Sequence, residues 1–402
     1  MLTLSSNILK RGLGFIGRRA RRVGLLSLAF LICLLVRLVR SIVLVRFGQL
    51  PTGRIGHFAA NTDLYLCLRQ KDKRTSPRTW DLFYPLKQVS NNQLMLMWKR
   101  VLFIHPFVQY LERANKLIPG SRRHIVELPS DRDLWGLNAS MPPHLSFTPE
   151  EERLGLELMS EMGLSPADKF ICFAARDSAY LNSFFPGHDW RYHDYRDTDI
   201  TSFLAAAEAM AKRGYFLIRM GAVVQTNLKT ENKKIIDYAT KHRSEFMDVF
   251  LCSRCHFYLG DTAGLYALAR IFRRPVAWTN LIPLELAPTW GKEDLFIPKL
   301  LWLTREKRFI TFREILESGA GRFIKSQDYQ AAGLEPVANT PEEIADLARE
   351  MDDRLRGVWS ESEEDKELQR RFWALFKPSD LNGLFLCRIG AKFLQQHRNL
   401  LD

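Results

Sequence analysis

The sequence predicts an α/β protein built on parallel sheet with helices on both faces. Three observations carry that expectation. A β-branched run at residues 41–47 leads through a glycine-bearing loop into helical spacing, the strand–loop–helix opening of a nucleotide-binding type domain. From residue 170 onward, apolar strand-like runs alternate with amphipathic helices. Between them, Thr148-Pro149-Glu150-Glu151 reads as a capping box with proline at the first helical position, which divides 402 residues into two units of ordinary size.

Taken in order, the chain begins with a basic segment at residues 1–40. Up to residue 46 it carries Lys10, Arg11, Arg18, Arg19, Arg21, Arg22, Arg37, Arg40 and Arg46 and no acid. The apolar run at residues 23–36 is shorter than the roughly 20 residues a spanning helix needs. No small-residue cleavage site follows it, and Arg37 interrupts it. A helix lying in a membrane interface, with arginines near anionic head groups, is preferred to a buried N-terminal helix or to a span with snorkelling arginines.

Residues 41–47 (SIVLVRF) form the first expected strand, closed by Gly48, and a helix follows through Ala59, Leu64 and Leu68. Further strands are expected at 80–86 and 124–128, with a helix at 91–103 between them. The helix opened by Thr148 ends near Gly163. Strands are then expected at 170–175, 215–219, 257–259 and 276–278, with helices at 200–212 and 265–272. Thr340-Pro341-Glu342-Glu343 is a second capping box and opens a mainly helical C-terminal region. The domain expectation is therefore 1–40 membrane-associating, 41–147 and 148–335 α/β, and 336–402 helical.

The net charge of +13 resembles that of a nucleic-acid binder, but nine of those charges lie in residues 1–46, and removing them leaves +4. A mildly basic body excludes wholesale nucleic-acid binding as the main reading while leaving room for a groove that takes an anion. The six cysteines are scattered, and Cys252-x-x-Cys255 lacks the second ligand pair that zinc requires. A reduced, cytoplasmic protein is expected.

Ligands of open parallel sheets sit at the carboxyl ends of strands, and this rule selects four places. They are Gly53-Arg54-Ile55-Gly56-His57, Arg176-Asp177-Ser178, Met220-Gly221 with Arg219, and Gly260-Asp261-Thr262-Ala263-Gly264. In the last, Asp261 or Thr262 is a good N-cap whose helix amides would receive a phosphate. Two arginines on adjacent strand ends, Arg176 and Arg219, would be costly together unless an anion came between them. His57 is a candidate general base, or else a cap or packing residue, and Asp63 is the alternative base. Asp131-Arg132-Asp133 and Asp197-Thr198-Asp199 match a D-x-D metal pattern, but the second directly precedes a helix and is explained by capping. No metal is expected. The run from Trp190 to Arg196 is dense in aromatic and charged groups, suiting a sugar or base or a packed surface loop.

The segments TGRIGHFAANTDLYL, ARDSAYLN, WRYHDYRDTDI, GYFLIRMG and YLGDTAGLYALARIFRRPVAWTN together resemble a family of glycosyltransferases found with bacterial surface-polysaccharide genes. More distantly, GDTAGLYALARIFRRPV is similar to the phosphate-side helix of heptosyltransferases, and FICFAARDS resembles fucosyltransferase-like folds. The resemblance implies a GT-B architecture, with two Rossmann-like domains facing a cleft; the N-terminal amphipathic helix and the C-terminal helices lie outside the matching segments. It assigns Arg176, Arg219, Asp261, Thr262, Ala263 and Gly264 to the donor phosphates and Gly56 and His57 to the acceptor side, and Gly221 joins the donor candidates from its strand end. Gly53, Arg54, Gly56, Asp177, Tyr180 and Arg191 become substrate-binding candidates, with His57 as base. It implies no cofactor: the donor is a nucleotide-diphosphate sugar, and helix amides and basic side chains steady the leaving group. A lipid-linked or glycan acceptor at the cytoplasmic face of the inner membrane completes the expectation. The alternative is a non-catalytic sugar-nucleotide or glycan-binding subunit of an assembly or export complex, which would need no base at position 57.

Overall fold

The computed structural model describes residues 2–72, 78–184, 186–377, 379 and 381–402, with residues 2–18 described by backbone alone. The chain folds around two parallel sheets. The first has the order β1 (Leu44–Leu50), β2 (Thr79–Pro85), β3 (Phe103–Ile104). The second is built from β4 (Phe170–Ala174), β5 (Phe216–Arg219), β6 (Ile235–Ile236), β7 (Tyr258–Gly260), β8 (Val276–Leu281) and β9 (Leu295–Pro298). A small antiparallel sheet holds β10 (Leu300–Leu303), β11 (Arg308–Phe309) and β12 (Leu334–Val337). The last strand, β13 (Arg388–Ile389), pairs in parallel with β9, making the large sheet seven strands in the order β13-β9-β8-β7-β4-β5-β6.

The expected strands appear, with shifts that have local causes. β4 is buried at every position, as a strand covered on both faces must be. β1 runs on through Gly48 to Leu50. A side chain at 48 would stand 2.7 Å from Val126, so glycine there admits a neighbouring segment and does not end the strand. The strand expected at 124–128 is reduced to one bridge, Phe47 to Ile125, after a 3-10 turn at Ser121–His124. The His124 ring bonds the Val45 carbonyl at 2.7 Å, occupying an acceptor that a longer ladder would use.

Four helices flank the first sheet: α1 (Leu2–Leu38), α2 (Ile55–Asp72), α3 (Asn92–Val101) and α4 (Val108–Lys116). α1 lies on α4, burying Ala29 and Cys33 against Val108, Leu111 and Ala114. The basic segment expected at 1–40 is thus largely this helix, although the side chains of Lys10, Arg11 and Arg18 fall outside the described residues. Among the described residues, no helix is long and apolar enough to cross a membrane.

Both expected capping boxes form, opening the helices Pro149–Glu161 and Pro341–Leu355. At the first, Arg100 holds the Glu151 carboxyl down to about 2. The 200–212 helix opens with a 3-10 turn, Ile200–Phe203, before Leu204–Lys212. The C-terminal stretch holds helices and one short strand, and it packs on the large-sheet unit. Helix Pro341–Leu355 packs on Leu204–Lys212 and on β8 and β9, while β13 supplies an edge of the large sheet. Helices Tyr266–Ile271 and Glu245–Arg254 pack on α2 and α3 respectively, joining the two parallel-sheet units.

Candidate functional site

In the seven-stranded sheet the chain moves outward from β4 to β5 and β6, then returns to β7 and builds β8 and β9 on the other side. The reversal opens a crevice at the carboxyl ends of β4 and β7, where open α/β sheets bind ligands. Arg176 and Asp261 emerge there.

Asp261 is 2% exposed and binds three strand ends together. Its carboxylate accepts the Arg176 amide at 3.0 Å, the Thr279 hydroxyl at 2.9 Å and the Asn280 side-chain amide at 3.4 Å. Burial raises its pKa, opposed by those partners and by Lys299. The expected N-cap role at Asp261 or Thr262 is therefore corrected. The next helix begins only at Tyr266, is six residues long and has Leu265 at its cap. Asp261 is needed inside, because it satisfies the amide at the end of β4.

The approach of backbone to Gly264 is also made within the chain. A Cβ on Gly56 would lie 2.9 Å from the Gly264 Cα, and one on Gly264 would lie 3.0 Å from the Gly56 nitrogen. Two expected loops, one from each half of the chain, thus meet backbone to backbone. The contact sets the first turn of α2, the positive end of an 18-residue helix, against residue 264. His57 is exposed on that turn, one residue from the contact. Gly53 and Arg54 precede it, and the Arg54 guanidinium lies 5.5 Å from the centroid of the Trp190 ring.

Cations gather behind this turn. Arg176 donates to the His193 carbonyl at 3.2 Å and pairs with Asp197. Arg196 bonds the carbonyl of Thr262. Lys299, 5% exposed, donates to the carbonyls of Tyr195 at 3.0 Å and Asp197 at 2.9 Å. Burial, with Arg196 adding to it, lowers Arg176 to about 10. Burial, together with Arg176 and Arg196 and against Asp261, lowers Lys299 to about 8. His193 is lowered to about 4 by burial and by Arg196, Arg176 and Arg54. Arg196 makes Arg176 and Lys299 harder to protonate, and an anion placed beside those two would relieve both.

Lys299 was not among the candidates, and Arg196 and His193 entered only as members of the Trp190–Arg196 run. The signal for Lys299 is a lone lysine between two apolar runs, LFIP and LLWL. Arg196 and His193 stand in the aromatic-rich run whose 3-10 turn, Arg191–Arg196, packs on helix Ser326–Ala331. Their convergence on β4 needs the fold.

The remaining candidates are distributed around this point. Arg219 is 2% exposed and is paired with Asp237 at 3.0 Å, with the Thr226 carbonyl at 2.8 Å. The expected need for an anion between Arg176 and Arg219 is corrected: each has its own carboxylate, and the cation facing Arg176 is Arg196. Gly221 packs within the turn after β5, close to Val224 and Ala239. Asp177 accepts the amides of Ala179 at 2.9 Å and Gln225 at 3.0 Å, tying two crevice loops together. Burial raises the Tyr180 phenol, against Arg243 and Arg54. Arg191 is exposed and paired with Asp189 at 2.7 Å. Ala263 donates its amide to the Asp261 carbonyl at 2.7 Å.

Three of the D-x-D acids, Asp133, Asp197 and Asp199, are engaged in hydrogen bonds or an ion pair. Asp133 accepts the first-turn amides of helix Leu137–Ser140, Leu137 at 2.8 Å and Asn138 at 2.7 Å, and Asp199 accepts the Thr201 amide at 2.9 Å. Cys252 and Cys255 are buried beside Cys172 in the core. Among the described residues, Asp63, Cys67 and His144 place potential ligand atoms within 4.8 Å of one another. A cation already sits there: Arg273 meets Asp63 at 2.7 Å, and His144 meets it at 2.8 Å. Asp63 is fully buried in this ion-paired cluster, which removes it as the alternative base.

No family model and no curated protein matches this chain. Among solved structures it is similar to a glycosyl transferase family 9 protein from Veillonella parvula, at 10% identity and a TM-score of 0.43, covering 77% of this chain and 97% of that one. It is also similar to the Escherichia coli ADP-heptose LPS heptosyltransferase II, at 14% identity and a TM-score of 0.33, covering 63% and 90%. A third is the iron-containing dodecameric glycosyltransferase TibC from enterotoxigenic E. coli, at 12% identity and a TM-score of 0.29, covering 60% of each chain. Likenesses of this strength carry no conclusion about activity, and the crevice is read from its own residues.

Proposed function

We propose that this chain is a glycosyltransferase that takes a nucleotide-diphosphate sugar and passes the sugar to a lipid-linked or polysaccharide acceptor in bacterial surface-carbohydrate synthesis. The observation that carries the reading is the gathering of Arg176, Arg196 and Lys299 at the strand reversal, beside the N-terminal turn of α2. Two buried cations, Arg176 and Lys299, with half-buried Arg196 beside them suit a leaving diphosphate, since its charge grows as the glycosidic bond breaks. The segment resemblance gives that anion its chemical class.

In this reading the acceptor oxygen attacks the anomeric carbon while the bond to the diphosphate breaks. The acceptor proton passes to His57, and the electron pair leaves with the diphosphate. Arg176, Arg196 and Lys299 stabilise it, with Thr262 to Gly264 lining its path. His193, lowered to about 4, is a weak proton acceptor and serves better as a neutral donor. Arg54 and Trp190 offer a charged and an aromatic surface to the sugar or base. The reaction is placed at the cytoplasmic face of the inner membrane, reached through the basic N-terminal helix.

A thermal-shift screen of nucleoside diphosphates and nucleotide-sugars on the wild type and Arg176→Ala tests the donor site. One diphosphate should raise the melting temperature, and the substitution should abolish the rise. A well-folded protein that responds to no nucleotide would overturn the donor assignment. Donor turnover in His57→Ala separates enzyme from binding subunit: retained nucleotide binding with turnover lost supports the base, and wild type that binds without turnover supports the subunit.

A further inference from the structure

Among the described residues, the N-terminal helix has two apolar faces, and one of them is packed against the body. Ala29 and Cys33 are buried on α4, and Cys33 donates to the Leu111 carbonyl at 3.3 Å. On the opposite face Leu28, Leu31, Leu35 and Leu38 recur at three- and four-residue spacing and are 51%, 59%, 63% and 77% exposed, followed by Ile42 at 70%. A contiguous exposed apolar stripe of this kind marks an interaction surface.

Its surroundings are basic. Arg37 bonds Asn115 at 2.7 Å and the Pro119 carbonyl, clamping α1 to the turn that leads to exposed Arg122 and Arg123. At the other end, Arg21, Arg22 and Leu25 line a cavity of about 480 Å³ with His105, Pro106, Phe107 and Tyr110. The Phe107 amide donates to Nδ1 of His105 at 3.2 Å, so in the neutral ring Nε2 carries the proton and can donate.

We propose that this face docks on a bilayer containing anionic phospholipid, with the outer leucines in the acyl boundary and a headgroup phosphate in the Arg21–Arg22–His105 cavity. The inference deepens the membrane-surface part of the proposed function and rests on it. Charge favours a lipid surface over a second copy of the chain. The segment up to residue 46 holds no acid, so a self-complementary dimer would set arginines against arginines, whereas an anionic surface neutralises them. The helix axis lies along the surface in this arrangement, with the body above it.

The test is co-sedimentation of the full chain with phosphatidylcholine vesicles, with and without phosphatidylglycerol. Wild type should bind the mixed vesicles, and 0.5 M salt should weaken binding. Arg21→Ala/Arg22→Ala should reduce the partition coefficient about 10- to 30-fold, following the roughly fivefold effect of each surface arginine. Leu31→Glu/Leu35→Glu should abolish binding while Arg21 and Arg22 remain. Competition by millimolar inorganic phosphate that displaces no protein supports a lipid headgroup; displacement would point to a free-phosphate site and overturn the lipid assignment. Equal binding by all variants, or a lipid-free dimer in sedimentation velocity with no vesicle binding, would also overturn it. The nucleotide thermal shift is measured on the same samples: if it persists while vesicle binding fails, the membrane reading alone falls.

Discussion

Lys299 is the cation most easily adjusted by pH, because its buried ammonium is lowered to about 8 among Arg176, Arg196 and Asp261. Below that value it is charged and available to a diphosphate; as pH rises through it, the crevice loses one positive charge. Affinity for the stabilising diphosphate should therefore fall by up to about 10-fold between pH 7 and 9, the change in the charged fraction of a group at about 8. Isothermal titration calorimetry on wild type and Lys299→Met checks this, and the variant should bind weakly with little pH dependence across that range. Ligand-free stability runs the other way. The unfolded lysine binds protons up to its ordinary 10.5, so the unfolded chain holds more protons between about 8 and 10.5, and this contribution to stability rises with pH. Asp261 is the complementary case. All three of its partners are donors, so Asp261→Asn would turn an amide hydrogen toward a donor. A loss of about 1–3 kcal/mol is expected by chemical denaturation, and the nucleotide thermal shift should go with it.

At the scale of elements, the contact between α2 and the loop after β7 depends on two glycines. Gly56→Ala should gain helix propensity of about 1 kcal/mol, yet the added Cβ meets the Gly264 Cα at 2.9 Å. Neither side of that contact is a flexible side chain, so overpacking of about 1–3 kcal/mol prevails. The expected result is a lower melting temperature and loss of nucleotide response. Gly24→Ala is the control. It lies in α1 with nothing within 4 Å of its Cβ, so it should be neutral or stabilising by up to about 1 kcal/mol in the same melting assay.

For the molecule as a whole, the two halves are joined by a buried polar cluster as well as by apolar packing. Arg273, held at φ 63, donates to Asp63 at 2.7 Å and to the carbonyls of Met141 at 2.8 Å and Pro142 at 3.0 Å. Arg273→Met would strand the Asp63 carboxylate with His144 and Asn138, at a cost of about 3–5 kcal/mol. Pairing it with Asp63→Asn should restore part of that loss. Urea denaturation of the two single variants and the double variant measures the coupling, and strictly additive losses would show that the cluster does not join the halves.

Local pattern was enough for the elements that carry their own signal. The capping boxes at Thr148 and Thr340, the buried run of β4 and the alternation after residue 170 need only neighbours in sequence, so the α/β class and most element positions were legible. So were the four places where strands end in candidate residues, because the carboxyl-end rule follows from strand order along the chain. Distant pairing decided the remainder. Whether Gly48 ends a strand or admits Val126, whether Asp261 caps a helix or binds three strand ends, and which cation faces Arg176 all depend on residues dozens of positions away. The same holds for the C-terminal stretch, whose β13 joins the large sheet. Sequence spacing specifies periodicity and local hydrogen-bond chemistry; it does not specify which remote donor a buried carboxylate meets, because that is settled only when the strands are laid side by side and their polar ends must be satisfied together.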